Sequence, residues 1–236
     1  MGASWAYFLV CELRIVLLGK NVLENNRVGN FILGRAAFDT ESPPVSVDHH
    51  SERVRGQVEG RPLSVINTPD LFKLRKYQLC RAVKECVSLS APGPHVILLV
   101  LQTDSFTEED RENVKVILNS FSDQAINYTI LITTDKQVTA INNSAFQLLR
   151  ECRMRQYKFE LIGFRLCFEL LEKIDSIVRE NVGGYLICDV SEATEYISKM
   201  GTVGERSFGQ HMEFHGLQPL GIALQSHKVN ASSVHV

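Results

Sequence analysis

The 236-residue sequence has no C-x-x-C pair, no basic stripe, no internal repeat and no apolar run near the roughly 18 residues a membrane-spanning helix needs. Each absence excludes something. With a formal net charge of -2, there is no cationic surface to release counterions from a nucleic acid, so nucleic acid is not an expected partner. The cysteines (Cys11, Cys80, Cys86, Cys152, Cys167 and Cys188) are scattered, mostly among apolar residues where a free thiol packs as a small hydrophobe. That pattern suits a reducing compartment, and the cytoplasm is the expected location. Residues 1–12 read as an N-terminal leader. They lack the basic start of a secretory signal, and Glu12 and Arg14 interrupt the apolar run as it passes into the first strand.

What is present is ordinary for one globular domain: 44% hydrophobic and 22% charged residues. Runs rich in Val, Ile and Leu at 13–18, 62–67, 95–102 and 128–133 are apolar on both faces, which predicts strands covered on both sides. Helical spacing begins near Asn26 and recurs at 77–89, 107–121, 143–152 and 163–180. The third of these opens on Thr107 as N-cap, and Glu108, Glu109 and Asp110 read as an acidic first turn suited to the helix dipole, not as a catalytic acid pair. One antiparallel hairpin at 54–67 should turn on Glu59-Gly60. Such alternation predicts a three-layer α/β fold, a mostly parallel central sheet with helices on both faces. After residue 200 no period persists. Residues 201–236 are rich in Gly, Ser and His and read as a flexible tail, leaving 13–200 as the domain. His211 and His215 have metal-ligand spacing, but Gly209 and Gly216 flank them and argue against a helix, so no metal centre is expected.

Residues 19–34 read GKNVLENNRVGNFILG. They follow a buried-strand run and lead into a helix, the place of a phosphate loop, G-x-x-x-x-G-K-[ST]. Here Glu24, Asn25 and Asn26 stand where that loop has its second glycine, its lysine and its hydroxyl.

Several stretches resemble the GIMAP family, the GTPases of immunity-associated proteins with an AIG-type G domain. GNFILG at 29–34 is similar to the family's G-N-x-I-L-G. SLSAPGPHVILLVLQ at 88–102 and FTEEDRENVKVIL at 106–118 resemble its distinguishing central box, and ELLEKID at 169–175 with NVGGY at 181–185 resembles its last helix and turn. The resemblance covers 13 to about 190. It implies a P-loop NTPase G domain, GTP or GDP as ligand with Mg²⁺, and pairing with other GIMAP G domains. Carried over position by position, the family's phosphate-loop lysine falls on Asn25 and its magnesium-binding hydroxyl on Asn26. The switch-loop threonine falls on Asp48, and D-T-P-G-L-F stands as NTPDLF, with Asn67 for the aspartate and Asp70 for the glycine. The guanine-reading T-[RH]-K-D stands as TTDK, so that Asp135 and Lys136 after Thr134 are exchanged in order. The final aromatic and asparagines are replaced by YKFEL at 157–161.

The positions that would face a nucleotide are therefore Gly19, Lys20, Glu24, Asn25, Asn26, Arg27, Asp48, Asn67, Asp70, Thr134, Asp135 and Lys136. Each change weakens the site. A charge-assisted hydrogen bond from the lysine is worth about 1.5–3 kcal/mol, and asparagine carries no charge. Carboxylates at Glu24 and Asp70 repel phosphates, and loss of the hydroxyl and the aspartate removes ligands for Mg²⁺. The expectation is a weak or nucleotide-free G domain without catalytic residues or hydrolysis. The alternative is a GTP-binding switch of low intrinsic hydrolysis that uses Lys20, Arg27 or Lys136 as substitute cations.

Overall fold

The structure is a computed structural model that describes residues 12–41, 50–134, 141–159 and 165–188. The predicted leader, apart from Glu12, and the predicted tail with its histidines lie outside those residues. Among the described residues six strands form one sheet in the order β2-β3-β1-β4-β5-β6. They are β1 (Leu13–Gly19), β2 (Glu52–Val58), β3 (Arg61–Asn67), β4 (Val96–Leu101), β5 (Thr129–Thr133) and β6 (Gln156–Lys158). Neighbouring strands run parallel except the β2/β3 hairpin.

Every residue of β1, β4 and β5 is buried, because helices cover both faces of the sheet. Side chains alternate along a strand, so Val16 and Leu18 enter one core with Ile97, Leu99 and Leu131. Against it pack α2 (Lys76–Leu89), α3 (Glu108–Asn119) and α4 (Asn143–Glu151). Leu13, Ile15 and Leu17 enter the other core with Leu98, Val100 and Ile132, under α1 (Val22–Leu33) and α5 (Arg165–Glu180). The predicted three layers are present.

Local chemistry sets the element ends. Glu59 and Gly60 both take positive φ, 50° and 79°, as a tight hairpin turn requires. The Thr107 hydroxyl accepts from the Asp110 N–H at 3.1 Å, while the Asp110 carboxylate accepts from the Thr107 N–H at 3.0 Å. This reciprocal box starts α3 where the acidic turn predicted it. Two boundaries differ from expectation. The first helix begins at Val22, a full turn before Asn26, and β6 is a strand that no sequence run announced.

After α5 the chain crosses the N-terminal edge of the sheet as a strap, residues 181–188, and the Leu186 N–H donates to Pro94 O at 2.8 Å. Arg14 and His95 are 8% and 5% exposed there. The Arg14 backbone N–H donates to His95 Nδ1 at 3.0 Å, its Nε donates to Gly93 O at 2.6 Å, and its guanidinium lies 5.2 Å over the Tyr185 ring. Burial first, then the adjacent Arg14 charge, push His95 down to about 4.

Candidate nucleotide site

The first functional segment is the junction of β1 and α1. Gly19 pairs with Val100 in the sheet, and a Cβ at Gly19 would lie 2.3 Å from Asn25 Oδ1 and 2.7 Å from Val100 O. Only glycine allows that approach. Only Lys20 and Asn21 separate strand from helix. Asn21 is the N-cap, with its Oδ1 accepting from the Leu23 N–H at 3.1 Å and the Glu24 N–H at 3.4 Å. The Asn25 N–H already donates to Asn21 O at 3.1 Å. A phosphate at a helix N-terminus is held by such free amides. Here the chain's own carboxamide takes two of them.

Asn25 is wholly buried, and neither its Oδ1 nor its Nδ2 has a hydrogen-bond partner among the described residues. Asn26 is 8% exposed. Its Nδ2 donates to Asp39 O, and its Oδ1 accepts from Asn67 Nδ2 at 2.5 Å. Asp70 turns to its own loop, where it caps the 3-10 turn Leu71–Lys73 by accepting from the Phe72 N–H at 3.1 Å and pairs with Lys73 at 3.0 Å. Mg²⁺ demands hard oxygen ligands in near-octahedral array and is usually held through carboxylates. Neither Asn26 nor Asn67 offers a carboxylate or a hydroxyl; Asn26 Oδ1 is already bonded, and Asn67 Oδ1, without a partner among the described residues, is one neutral oxygen where the ion needs several. These residues do not fit the ion.

The flanking cations are engaged as well. Lys20 Nζ donates to Asp110 Oδ1 at 2.7 Å, and Arg27 pairs with Glu24 at 2.6 Å. Burial pushes the Asp110 carboxyl up, but the Lys20 and Thr107 hydrogen bonds outweigh it and hold Asp110 below its ordinary value. Beside this pair is a cavity of about 190 Å³ lined by Lys20, Glu24, Phe72, Phe106, Asp110 and Thr134 among others. It opens outside the carboxyl ends of β1 and β4, where the strand order reverses and α/β sheets bind ligands. The Thr134 N–H donates to Leu101 O at 3.2 Å. Its hydroxyl is buried with no partner among the described residues.

The AIG1 family model matches residues 13–202. The chain belongs to the AIG1 family. Human GTPase IMAP family member 8 is 31% identical over 204 residues, a match that covers 78% of this chain and 30% of that protein. The immune-associated nucleotide-binding protein 9 of Arabidopsis thaliana is 26% identical over 191 residues, covering 72% of this chain and 56% of that protein. The match therefore spans between 30% and 56% of the length of these curated relatives. Among solved structures, one from a study of dimerization and GTPase activity in the chloroplast translocon components atToc33 and psToc159 superposes with a TM-score of 0.55 at 16% identity, over 70% of this chain and 82% of that one. That likeness shows the fold, a GTPase-type α/β sheet. The GIMAP-type G domain implied by GNFILG and the central box is thus the architecture of this chain.

Within this AIG1 domain the predicted positions fall into groups. Gly19, Asn25, Asn26 and Asn67 converge at the ends of β1 and β3. Lys20, Glu24 and Thr134 line the cavity with Asp110, which sequence reasoning placed only as a helix-start residue. Arg27 stays with Glu24, and Asp70 with Lys73. Asp48, Asp135 and Lys136 lie outside the described residues. Of the final motif, Phe159 is 6% exposed and meets Phe31 edge-on at 5.3 Å. Asn21 was missed, although an asparagine just before a helical pattern is an N-cap signal. Asp39 was missed too and carries no comparable signal, while Asn30 was seen only as part of GNFILG and given no role.

Proposed function

We propose that this chain is a GTP-binding G domain by descent whose phosphate end takes nucleotide weakly or not at all, and which works by pairing with other GIMAP-type G domains in the cytoplasm. The observation that carries the reading is the capped start of α1. The Leu23 and Glu24 amides are bonded to Asn21, and a triphosphate must displace that cap without help from a loop lysine. Charge-assisted bonds of about 1.5–3 kcal/mol each are absent at two or more points, so affinity falls by about 10² to 10⁴. Hydrolysis is not expected.

Pairing is proposed through the face around Asp48, Asn67 and the segment after Phe72. Tyr77, 71% exposed at the start of α2, and an apolar groove of about 180 Å³ lined by Leu71, Phe72, Leu74 and Ile117 support this. Crosslinks from His50 and Tyr77 to a GIMAP partner are the expected result, and crosslinks confined to residues after Met200 would argue against it. The second reading, a GTP switch using substitute cations, draws support from Lys20, whose side chain is 50% exposed beside the cavity.

The deciding experiment denatures the purified protein, measures nucleotide by anion exchange, and titrates fluorescent GTP with Mg²⁺. Absence of bound nucleotide and no low-micromolar binding are expected. Melting should also be unmoved by excess Mg²⁺-GTP, whereas a ligand at 100 times its Kd would add about 2.7 kcal/mol. Stoichiometric GDP or GTP would overturn the proposal, and loss of that binding in Lys20→Met would establish the second reading.

A further inference from the structure

Asn26 sits where three segments meet. From the second turn of α1 its carboxamide reaches the chain after the helix through Asp39 O and the end of β3 through Asn67 Nδ2. One turn on, Asn30 repeats the contact: its Oδ1 accepts from the Ala37 and Phe38 N–H groups, both at 2.7 Å, and its Nδ2 donates to Phe38 O at 2.8 Å. Phe38 is 4% exposed, and its ring packs so close to Gly29 that a Cβ there would be 2.6 Å away. On the other side, the Thr68 N–H and hydroxyl both donate to Leu17 O, at 3.2 and 2.8 Å. Asn30 and Asn26 both hold residues 37–39 to α1, and Asn26 is the side chain that reaches Asn67 at the end of β3 as well. Where the chain is next described, His50 meets Glu85 Oε1 at 2.9 Å, and the Ser51 N–H donates to Glu85 Oε2 at 3.1 Å.

We infer that Asn26 is an ion-free strut that joins residues 36–41 and the end of β3 to α1 in a single arrangement, doing with one carboxamide what a bound cation does through several ligands. The residue types fit the role. A carboxamide donates and accepts at once, so it joins a carbonyl on one side to an N–H donor on the other, which neither a serine hydroxyl held by a metal nor a carboxylate does in this geometry. The burial of Asn26 and Asn67, at 8% and 7% exposure, excludes competing water. The inference concerns how the site proposed above is held, and it rests on that reading only in treating the nucleotide-free protein as the working form.

The test is hydrogen–deuterium exchange on the full chain, stripped of nucleotide, with EDTA and then with Mg²⁺. In the unmodified protein, exchange over residues 36–41 and 67–74 should not change between the two conditions. Asn26→Ala should speed exchange about tenfold in both segments together, the effect of losing buried hydrogen bonds, with α5 and β4 unchanged. Asn26→Asp keeps the acceptor for Asn67 and loses the donor to Asp39 O, so 36–41 alone should loosen. If Asn26→Ala does not fold, Asn67→Ala serves in its place and should loosen 67–74 while 36–41 stays protected. The inference is overturned if Mg²⁺ protects either segment of the unmodified chain, if Asn26→Ala leaves both segments unchanged, or if exchange rises uniformly across the domain. Bound nucleotide in the protein as purified would defeat the proposed function without touching this result, since exchange is read after stripping.

Discussion

At the carboxyl edge of the sheet, the buried amides of Asn25 and Asn67 leave atoms without hydrogen-bond partners among the described residues, while at the amino edge Arg14 alone bonds to Glu12, Gly93 and His95 and lies over Tyr185. Both edges bury polar groups in one sheet. They differ in what the polar groups do. A buried amide that makes no bond costs about 1–3 kcal/mol, and nothing in folding asks for it. Such local inconsistency collects where a fold was shaped for binding. At the amino edge Arg14, His95 and Tyr185 meet one another, although Arg61 Nε nearby is buried without a partner among the described residues.

The sharpest way to break the comparison is at the amino edge, by Gly93→Ala. The added Cβ would lie 2.1 Å from Leu186 O and 2.8 Å from the Tyr185 ring, so the strap must move. A loss of about 3 kcal/mol is expected, seen as a fall in Tm of about 6–12 °C by circular dichroism. Next comes acidification. Unfolded His95 binds its proton near pH 6.5, and folded His95 only near 4. Between those values the unfolded state holds more protons, so stability falls as pH falls, by up to about 1.4 kcal/mol per unit. Urea midpoints measured from pH 7 to 5 should show the fall, and His95→Gln should flatten it.

At the carboxyl edge the sign reverses. Asn25→Leu keeps the branched shape and removes two polar atoms without partners among the described residues, so stability should rise by about 1 kcal/mol in denaturant unfolding. Asn25→Lys alone should not create GTP binding in a fluorescence titration, because Asn26 and Asn67 still offer Mg²⁺ no hard ligand set. The smallest effect is expected from Lys20→Met. Its ammonium is half exposed, and Asp110 keeps its bonds to Thr107, so the change should stay within about 1 kcal/mol.

The carriers of the fold were legible because they are local. β-branched apolar runs announced β1, β3, β4 and β5, Glu59-Gly60 announced the hairpin, and Thr107 announced α3. What escaped depends on distant partners. β6 has three residues and becomes a strand only by pairing with β5. The early start of α1 was hidden because the phosphate-loop frame fits the same residues in either conformation. The asparagines at 25, 26 and 67 were visible, where the family resemblance leads one to expect a lysine, a hydroxyl and an aspartate. Their convergence was not, since Asn67 lies 41 residues from Asn26. Likewise Lys20 read as a spare cation because its carboxylate, Asp110, is 90 residues away.

The strap at residues 181–188 has a geometric consequence. Because the Leu186 N–H bonds to Pro94 O beside Arg14 at the start of β1, the strap and the first strand are joined at the amino edge of the sheet. The cavity and the Asn26 junction lie at the opposite, carboxyl edge. A change in the strap would therefore reach Arg14 and β1 directly, and the cavity only along the length of the strands.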